Sequence, residues 1–381
     1  MAENPSESTM AAEWSSCIHR NFVRSVGDLL SATNDRDMRA VCGNLSAAIA
    51  KPPPLGLGGD HRFLEREWVM LDEEKPADGV DGRLFLHVST GRFLRLPMPL
   101  LDYGHYILVG ASDGLLVLGE PEGLHPACLL NPFTGDMIPF TAPIPQESKV
   151  LTAVAGSSSS PTLLFSFEDR YNGCNDVVYC ADATSPLSEV QFEGDNDNEF
   201  LLKSLLSYAG HFYMVDWYGR IFKVVGTTPH YRGEVIAKTF GDDRFSFLVE
   251  SAGELHLVSR GHTMDSRNLV EVFRINIERK LLEPVTHIGS RALFLGVRCL
   301  SVDADKLPSV DSNCIYYVDQ PCYGYGCNSV NRYDLSNSVV ERFSCVFDDR
   351  ERIRPLSIVQ RLLSYCEGDE VPDIKVQVER L

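Results

Sequence analysis

From Trp68 to Phe347 the chain repeats one phrase: a short apolar run, a Gly-centred turn, another short apolar run. Tyr106–Val109 leads through Asp113-Gly114 to Leu115–Leu118, and Cys128–Leu130 leads through Thr134-Gly135 to Met137–Phe140. Ser204–Tyr208, Ala209-Gly210, Phe212–Asp216, Tyr218-Gly219 and Ile221–Val225 give two turns in succession. Phe247–Glu250, Ala252-Gly253 and Glu254–Ser259 repeat the phrase, as do Val270–Ile275, Asn276–Lys280 and Leu281–Val285. Runs of roughly four to eight residues rich in Val, Ile, Phe and Tyr, broken by Asp-Gly or Xaa-Gly, mark antiparallel hairpins. The two-residue turns that match strand twist need positive φ, which glycine adopts without strain.

Their even spacing predicts a mainly β chain built as a closed β-propeller. At roughly 40–50 residues per four-stranded blade, the stretch holds about six or seven blades. A propeller suits strands that are apolar on both sides, because radially packed sheets cover each other and leave only short edges open. A β-sandwich rarely needs so many strands. Closure normally takes one blade from both ends of the array, and either Trp68–Leu71 or Ile374–Val378 can supply the closing strand. Gly156–Pro161, with its serine run, and Glu193–Glu199, with alternating acids and amides, read as loops between blades. Pro355–Tyr365 reads equally as a short helix or a closing strand.

Ahead of the strands the pattern changes. Residues 1–13 are polar and read as disordered. Residues 14–50 read as two amphipathic helices. Phe22, Val23, Val26, Leu29 and Leu30 fall on one stripe, and Met38, Val41, Cys42, Leu45, Ala48 and Ile49 on another. Asn34 or Asp35 can cap the second helix. Pro52-Pro53-Pro54 forbids its continuation, and Gly56, Gly58 and Gly59 make residues 51–67 a joint. Residues 68–381 are then the propeller.

Composition narrows the partners. With 35 basic against 53 acidic residues and a net charge of −18, the chain lacks the basic patch that a phosphate backbone requires, so no nucleic-acid partner is expected. The longest apolar runs are strand-sized, and no membrane span is expected. Met1–Trp14 holds three glutamates and no Lys or Arg, unlike a secretory signal or a transit peptide. The eleven cysteines follow no paired framework and fit a reducing compartment. Cytoplasm and nucleus are the expected locations.

Trp14, the Phe22–Leu30 stripe and Asp35–Cys42 look like a degenerate F-box. Downstream, Gly110–Leu118, Leu129–Pro139, His211–Val224, Phe247–Val258 and Asn313–Asp319 follow in order. Together they resemble the plant KIB-type β-propeller family, whose members often carry an N-terminal F-box. The resemblance covers nearly the whole chain. It implies a substrate adaptor of a Skp1–cullin–F-box ubiquitin ligase, with Phe22, Val23, Val26, Leu29, Leu30, Val41 and Cys42 facing a Skp1-like subunit and the propeller holding a target protein. The Leu-Pro pair usual at the start of an F-box is Cys17-Ile18 here, and the Trp-Arg pair usual near its end is Leu45-Ser46. The helical stripe is kept and these terminal signatures are not. The alternative is therefore a propeller scaffold whose F-box no longer recruits a ligase.

Catalytic motifs are weaker than they look. Gly110-Ala111-Ser112-Asp113-Gly114 matches the G-x-S-x-G nucleophile elbow, but that motif needs a strand-to-helix turn. Here Leu115–Leu118 continues as a strand and Asp113-Gly114 is a hairpin turn. Asp195, Asp197 and Glu199 alternate like a calcium loop without its glycine or its bidentate glutamate. Cys314, Cys322 and Cys327 lack the second short-spaced pair of a zinc site. The ten histidines show no paired metal spacing, and His211 and His256 read as structural. No enzyme, no cofactor and no metal is expected.

Overall fold

The computed structural model describes residues 67–71, 82–102, 104–121, 124–133, 135–145, 150–157, 160–168, 176–192, 200–239, 244–261, 269–319, 329–345 and 358–367. The two helical stripes expected over residues 14–50, the joint over 51–67 up to residue 66, the acidic stretch 193–199 and Ile374–Val378 lie outside these residues.

The Gly-centred turns reverse the chain, and the strands they join form successive antiparallel sheets. Blade I holds β1 (Trp68–Leu71), β2 (Arg83–His87) and β3 (Arg92–Leu96). After a single helical turn, α1 (Pro99–Asp102), blade II holds β4 (Ile107–Ser112), β5 (Leu115–Gly119), β6 (Leu124–Leu130) and β7 (Met137–Pro145). Blade III holds β8 (Val150–Ser157), β9 (Ser160–Glu168), β10 (Asp176–Asp182) and β11 (Ser188–Phe192). Blade IV holds β12 (Leu202–Tyr208), β13 (His211–Asp216), β14 (Arg220–Thr227) and β15 (His230–Lys238). Blade V holds β16 (Arg244–Ser251), β17 (Glu254–Gly261), β18 (Val270–Asn276) and β19 (Leu281–Val285). Blade VI holds β20 (Arg291–Leu295), β21 (Leu300–Asp303), β22 (Cys314–Asp319), β23 (Ser329–Asp334) and β24 (Val339–Cys345). Helix α2 (Ile358–Glu367) follows.

Side chains turn these sheets into a ring. Among the described residues there are six apolar clusters, and each draws on two consecutive blades. Met70 and Phe85 meet Leu116 and Leu118 between blades I and II. Leu129 and Phe140 meet Leu163 and Phe165 between II and III. Leu164 and Cys180 meet Met214 and Phe222 between III and IV. Tyr213 and Val215 meet Leu248 and Leu257 between IV and V. Val258 and Val272 meet Leu293 and Ile315 between V and VI. The sixth cluster closes the circle: Val69, Leu71 and Leu86 pack on Phe294, Tyr316 and α2. The sheets thus form a propeller-like ring, as the hairpin repeat predicts, with six blades among the described residues.

Of the two expected closing strands, Ile374–Val378 lies outside the described residues. Trp68–Leu71 does not join blade VI: among the described residues it pairs with β2 alone, from Trp68↔His87 to Leu71↔Leu84. Blades I and VI are joined by apolar packing, and α2 supplies much of it. Of the expected segment Pro355–Tyr365, the described residues from Ile358 onward form this helix, on which Val359, Leu362, Leu363 and Cys366 share one face, spaced as a helical stripe. All four are buried. The Phe294 and Tyr316 rings stack beneath the helix at 4.8 Å with planes 9° apart.

Two further departures concern edges. Gly156–Pro161 is no interblade loop: Gly156 pairs with Pro161 and Ser157 with Ser160 inside the β8–β9 hairpin. The serines carry no apolar signal, yet the long ladder beginning at Val150↔Phe167 holds them in register. The outer strands of blades III and IV also pair, in parallel, from Val190↔Tyr231 to Phe192↔Gly233, making one eight-stranded sheet. Pairing two outer strands removes two open edges. Asp182 reinforces the joint, accepting hydrogen bonds from Thr162 Oγ1 and the Tyr231 hydroxyl at 3.2 Å each, and from Thr228 Oγ1.

The closing cluster gives a direct test. Leu362→Ala should lower stability by about 2–5 kcal/mol, since it empties a fully buried site. Leu281→Ala, at a position of blade V that is 53% exposed, should change it by no more than about 0.5 kcal/mol. Chemical denaturation of both variants checks this. Equal, small effects would mean that α2 does not hold the ring shut.

Candidate binding cavity on the propeller axis

Each blade presents one inner strand to the axis, and the short loops between strands set how those inner strands end. In blades II, IV and V the inner strand turns back through two residues: Asp113-Gly114, Ala209-Gly210 and Ala252-Gly253. Both residues of each pair have positive φ, for example 52° and 75° at Asp113 and Gly114. This is the primed hairpin geometry that the sequence predicts. A β-branched side chain at Gly114 would be strained there.

Hydroxyls tie the inner strands to one another. Ser112 Oγ, at the end of β4, accepts a 3.0 Å hydrogen bond from the Val154 backbone N–H of β8. Ser204 Oγ of β12 accepts one from Leu248 N–H of β16 at 3.1 Å. Ser251 of β16 and Ser301 of β21 share a hydrogen bond of 2.8 Å. Gly110 lets β4 approach β8 closely, because a Cβ there would run into Thr152.

These strands line a partly open cavity of about 590 Å³. Val109 of β4, Leu151 and Ala153 of β8, Leu205 of β12 and Leu300 of β21 border it, and their side chains belong to the apolar packing between blades. Asp113-Gly114 and Ala252-Gly253 lie at one end, and Tyr208 donates a 2.8 Å hydrogen bond to Gly253 O beside them. Six charged residues line the cavity: Glu67, Asp113, Glu250 and Glu367 against Arg291 and Arg298. Arg291 is fixed by Nε to Ser301 Oγ and Nη2 to Ser301 O, both at 2.9 Å. Burial draws its pKa down, partly offset by Asp303 and Glu67. Arg298 stacks on the Tyr365 ring at 5.0 Å, and its N–H bonds Cys366 O at 2.9 Å, so α2 reaches the cavity wall. Burial pushes the Cys299 thiol there up to about 12, which keeps it protonated at neutral pH.

Ser112 is the tie described above, and not an activated nucleophile. Its oxygen is engaged by Val154 N–H, and the strand–turn–strand around it differs from the strand-to-helix elbow of a hydrolase. His256 is buried in β17, with Nδ1 3.3 Å from Glu254 O and Nε2 3.8 Å from Glu254 Oε2, while His211 is exposed at the start of β13. Cys314 is a buried thiol of β22 raised to about 11 by burial. Cys322, Cys327, Asp195, Asp197 and Glu199 lie outside the described residues. Among the described residues no group of three His, Cys, Asp or Glu side chains is placed to hold a metal ion. Phe22, Val23, Val26, Leu29, Leu30, Val41 and Cys42 also lie outside the described residues. Sequence reasoning missed Ser204, Ser251, Ser301 and Arg291. The serines follow no period in the chain, because only the ring sets which inner strands touch.

A mainly β ring of sheets around an axial cavity defines a propeller-like fold. The chain belongs to the KIB1-4 beta-propeller family, whose description matches residues 85–348. No curated protein matches it. Among solved structures, the computationally designed Ika8 protein is 12% identical over 64% of this chain and 63% of that one, with a TM-score of 0.33. The chain thus spans less than two thirds of that protein. CoXyl43, a GH43 β-xylosidase/α-arabinofuranosidase from a compost microbial metagenome, is 15% identical over 56% of this chain and 87% of its own, with a TM-score of 0.28. The N-terminal domain of Nup159 is 10% identical over 71% of each chain, with a TM-score of 0.26. Nothing about function is taken from likenesses this slight.

Two outcomes follow from the cavity wall and its surroundings. Ser112→Ala should cost about 1 kcal/mol through the lost tie to Val154. Gly114→Val should cost more than about 1 kcal/mol through strain, and urea denaturation separates the two. Covalent labelling of Ser112 by a serine-hydrolase probe would contradict this reading.

The second outcome concerns His256, whose burial holds it below its ordinary value of 6.5 despite nearby Glu254. As pH falls through 6.5, the unfolded chain binds the proton first, so stability present above that value is lost on acidification. The urea midpoint should fall between about pH 7 and about pH 5.5, and His256→Gln should flatten the decline. An unchanged slope in His256→Gln would remove His256 from the account.

Proposed function

We propose that this protein is a non-enzymatic substrate adaptor of a Skp1–cullin–F-box ubiquitin ligase. In this reading the 14–50 segment docks on a Skp1-like subunit and the propeller holds a target protein. The observation that carries it is the axial cavity, walled by inner strands whose hydroxyls are spent on holding the ring together. Such a cavity is suited to binding. Membership of the KIB1-4 beta-propeller family agrees with it, as does the F-box-like stripe that precedes the family match. Among the described residues no helix is long and apolar enough to cross a membrane, and this reading places the protein's action in the cytoplasm or nucleus. The absent Leu-Pro and Trp-Arg signatures support a second reading, a propeller scaffold that no longer recruits a ligase.

Copurification with a Skp1-like protein separates the two. In the adaptor reading Leu30→Asp should abolish that binding, because a charge buried in an apolar interface costs several kcal/mol, while the propeller's melting temperature barely changes. If the wild type binds no Skp1-like protein and Leu30→Asp lowers the melting temperature, the segment packs on the propeller and the scaffold reading stands.

A further inference from the structure

We infer that the chain's own segment Ile374–Val378 adds to the outer edge of β3 as the fourth strand of blade I. The first ground is the sheet. Blades II to V hold four strands each, whereas blade I holds three among the described residues, and β3 ends it. In such an end strand, alternate backbone N–H and C=O groups point away from the neighbouring strand and can accept another. The outer edges of blades II to V are blocked or occupied. β7 carries Pro139, Pro143 and Pro145, β19 carries Pro284, and β11 pairs with β15. Proline takes away the donor that an added strand needs.

β3 has no such block, since it reads Arg-Phe-Leu-Arg-Leu. Its Leu94 and Leu96 turn toward blade II, in the cluster with Leu116. Phe93 lies on the other face of the strand, by alternation, and is 49% exposed.

The second ground is the segment. Ile374, Val376 and Val378 alternate with Lys375 and Gln377, the period of a strand covered on one face. β15 has this pattern as an outer strand, burying Tyr231 and Gly233 and exposing His230 and Arg232. Laid beside β3, the apolar triplet would cover Phe93. Charge agrees: β2 and β3 hold Arg83, Arg92 and Arg95 and no carboxylate, while Asp369, Glu370 and Asp373 run just ahead of the segment.

The third ground is reach. Helix α2 ends at Glu367 and packs against β1 and β20. A fourth strand of blade I lies three strand spacings from β1, or about 14 Å. Residues 368–373 can span about 23 Å between Glu367 and Ile374 at roughly 3.3 Å per residue. β24 is the other outer strand without proline, but blade VI already has five strands. The place beyond β24 lies four spacings from β20, about 19 Å.

Hydrogen exchange on the full chain, read by mass spectrometry, tests this. In the wild type, 374–378 should exchange about tenfold or more slowly than an unstructured peptide. The double variant Lys375→Pro/Val376→Pro removes two adjacent donors, one of which must point at β3. It should speed exchange of 374–378 and of β3 by about tenfold, and leave β24 unchanged. Gln377→Thr should alter neither segment. A synthetic peptide of residues 369–381, added to the double variant, should restore slow exchange in β3, and the same peptide carrying both prolines should not. Exchange of 374–378 at the unstructured rate in the wild type overturns the inference, as does an unaltered β3 in the double variant. Faster exchange in β24 in place of β3 would put the segment on blade VI and sink it too. Protection of 374–378 that rises with protein concentration would assign the edge to a second copy, against the inference.

Discussion

Everything in this structure depends on apolar faces meeting between neighbouring blades. A strand in a propeller is buried on both sides, and no blade can bury its own faces alone. The apolar clusters solve that problem in turn around the ring, and the last one is the most demanding. Among the described residues blade I and blade VI share no strand pairing, and beside one backbone hydrogen bond from Asp303 N–H to Val88 O their union rests on dispersion and the hydrophobic effect between Val69, Leu71, Phe294, Tyr316 and the buried stripe of α2. Helix α2 follows the last described strand and packs against β1, which opens the described residues, so closure links the two ends of the array.

The axis is a product of the same packing. When apolar clusters draw the blades together, their inner strands converge, and backbone polar groups near the axis need partners. Serine supplies them with a short, adaptable hydroxyl. Ser112, Ser204 and Ser251 each reach across an interblade boundary. The G-x-S-x-G string shows why a motif must be judged by its setting: its glycines serve close strand packing and a primed turn, and its serine serves the neighbouring blade.

Charged groups are held in place around the same ring. The cavity is lined by Glu67, Asp113, Glu250 and Glu367 beside Arg291 and Arg298, and the two arginines are held by Ser301 and Tyr365. Elsewhere, Asp182 gathers hydroxyl donors where blades III and IV join.

The sequence by itself determined the strands, most of the turns and the class of fold. Alternating apolar runs and Xaa-Gly pairs act over a few residues, and local backbone preference decides them. Asp113-Gly114 and Ala252-Gly253 were legible for that reason. The helical stripe of α2 was half legible, because Pro355–Tyr365 carried apolar residues that suit a strand or a helix until Phe294 and Tyr316 offer them a surface. Three features were decided only by tertiary structure: the mode of closure, the parallel pairing of β11 with β15, and the charged lining of the cavity. Each joins residues far apart in the chain, such as Leu71 with Leu362, Val190 with Tyr231, or Glu67 with Glu250. Such pairings depend on the geometry of the whole ring, and local sequence holds no record of it.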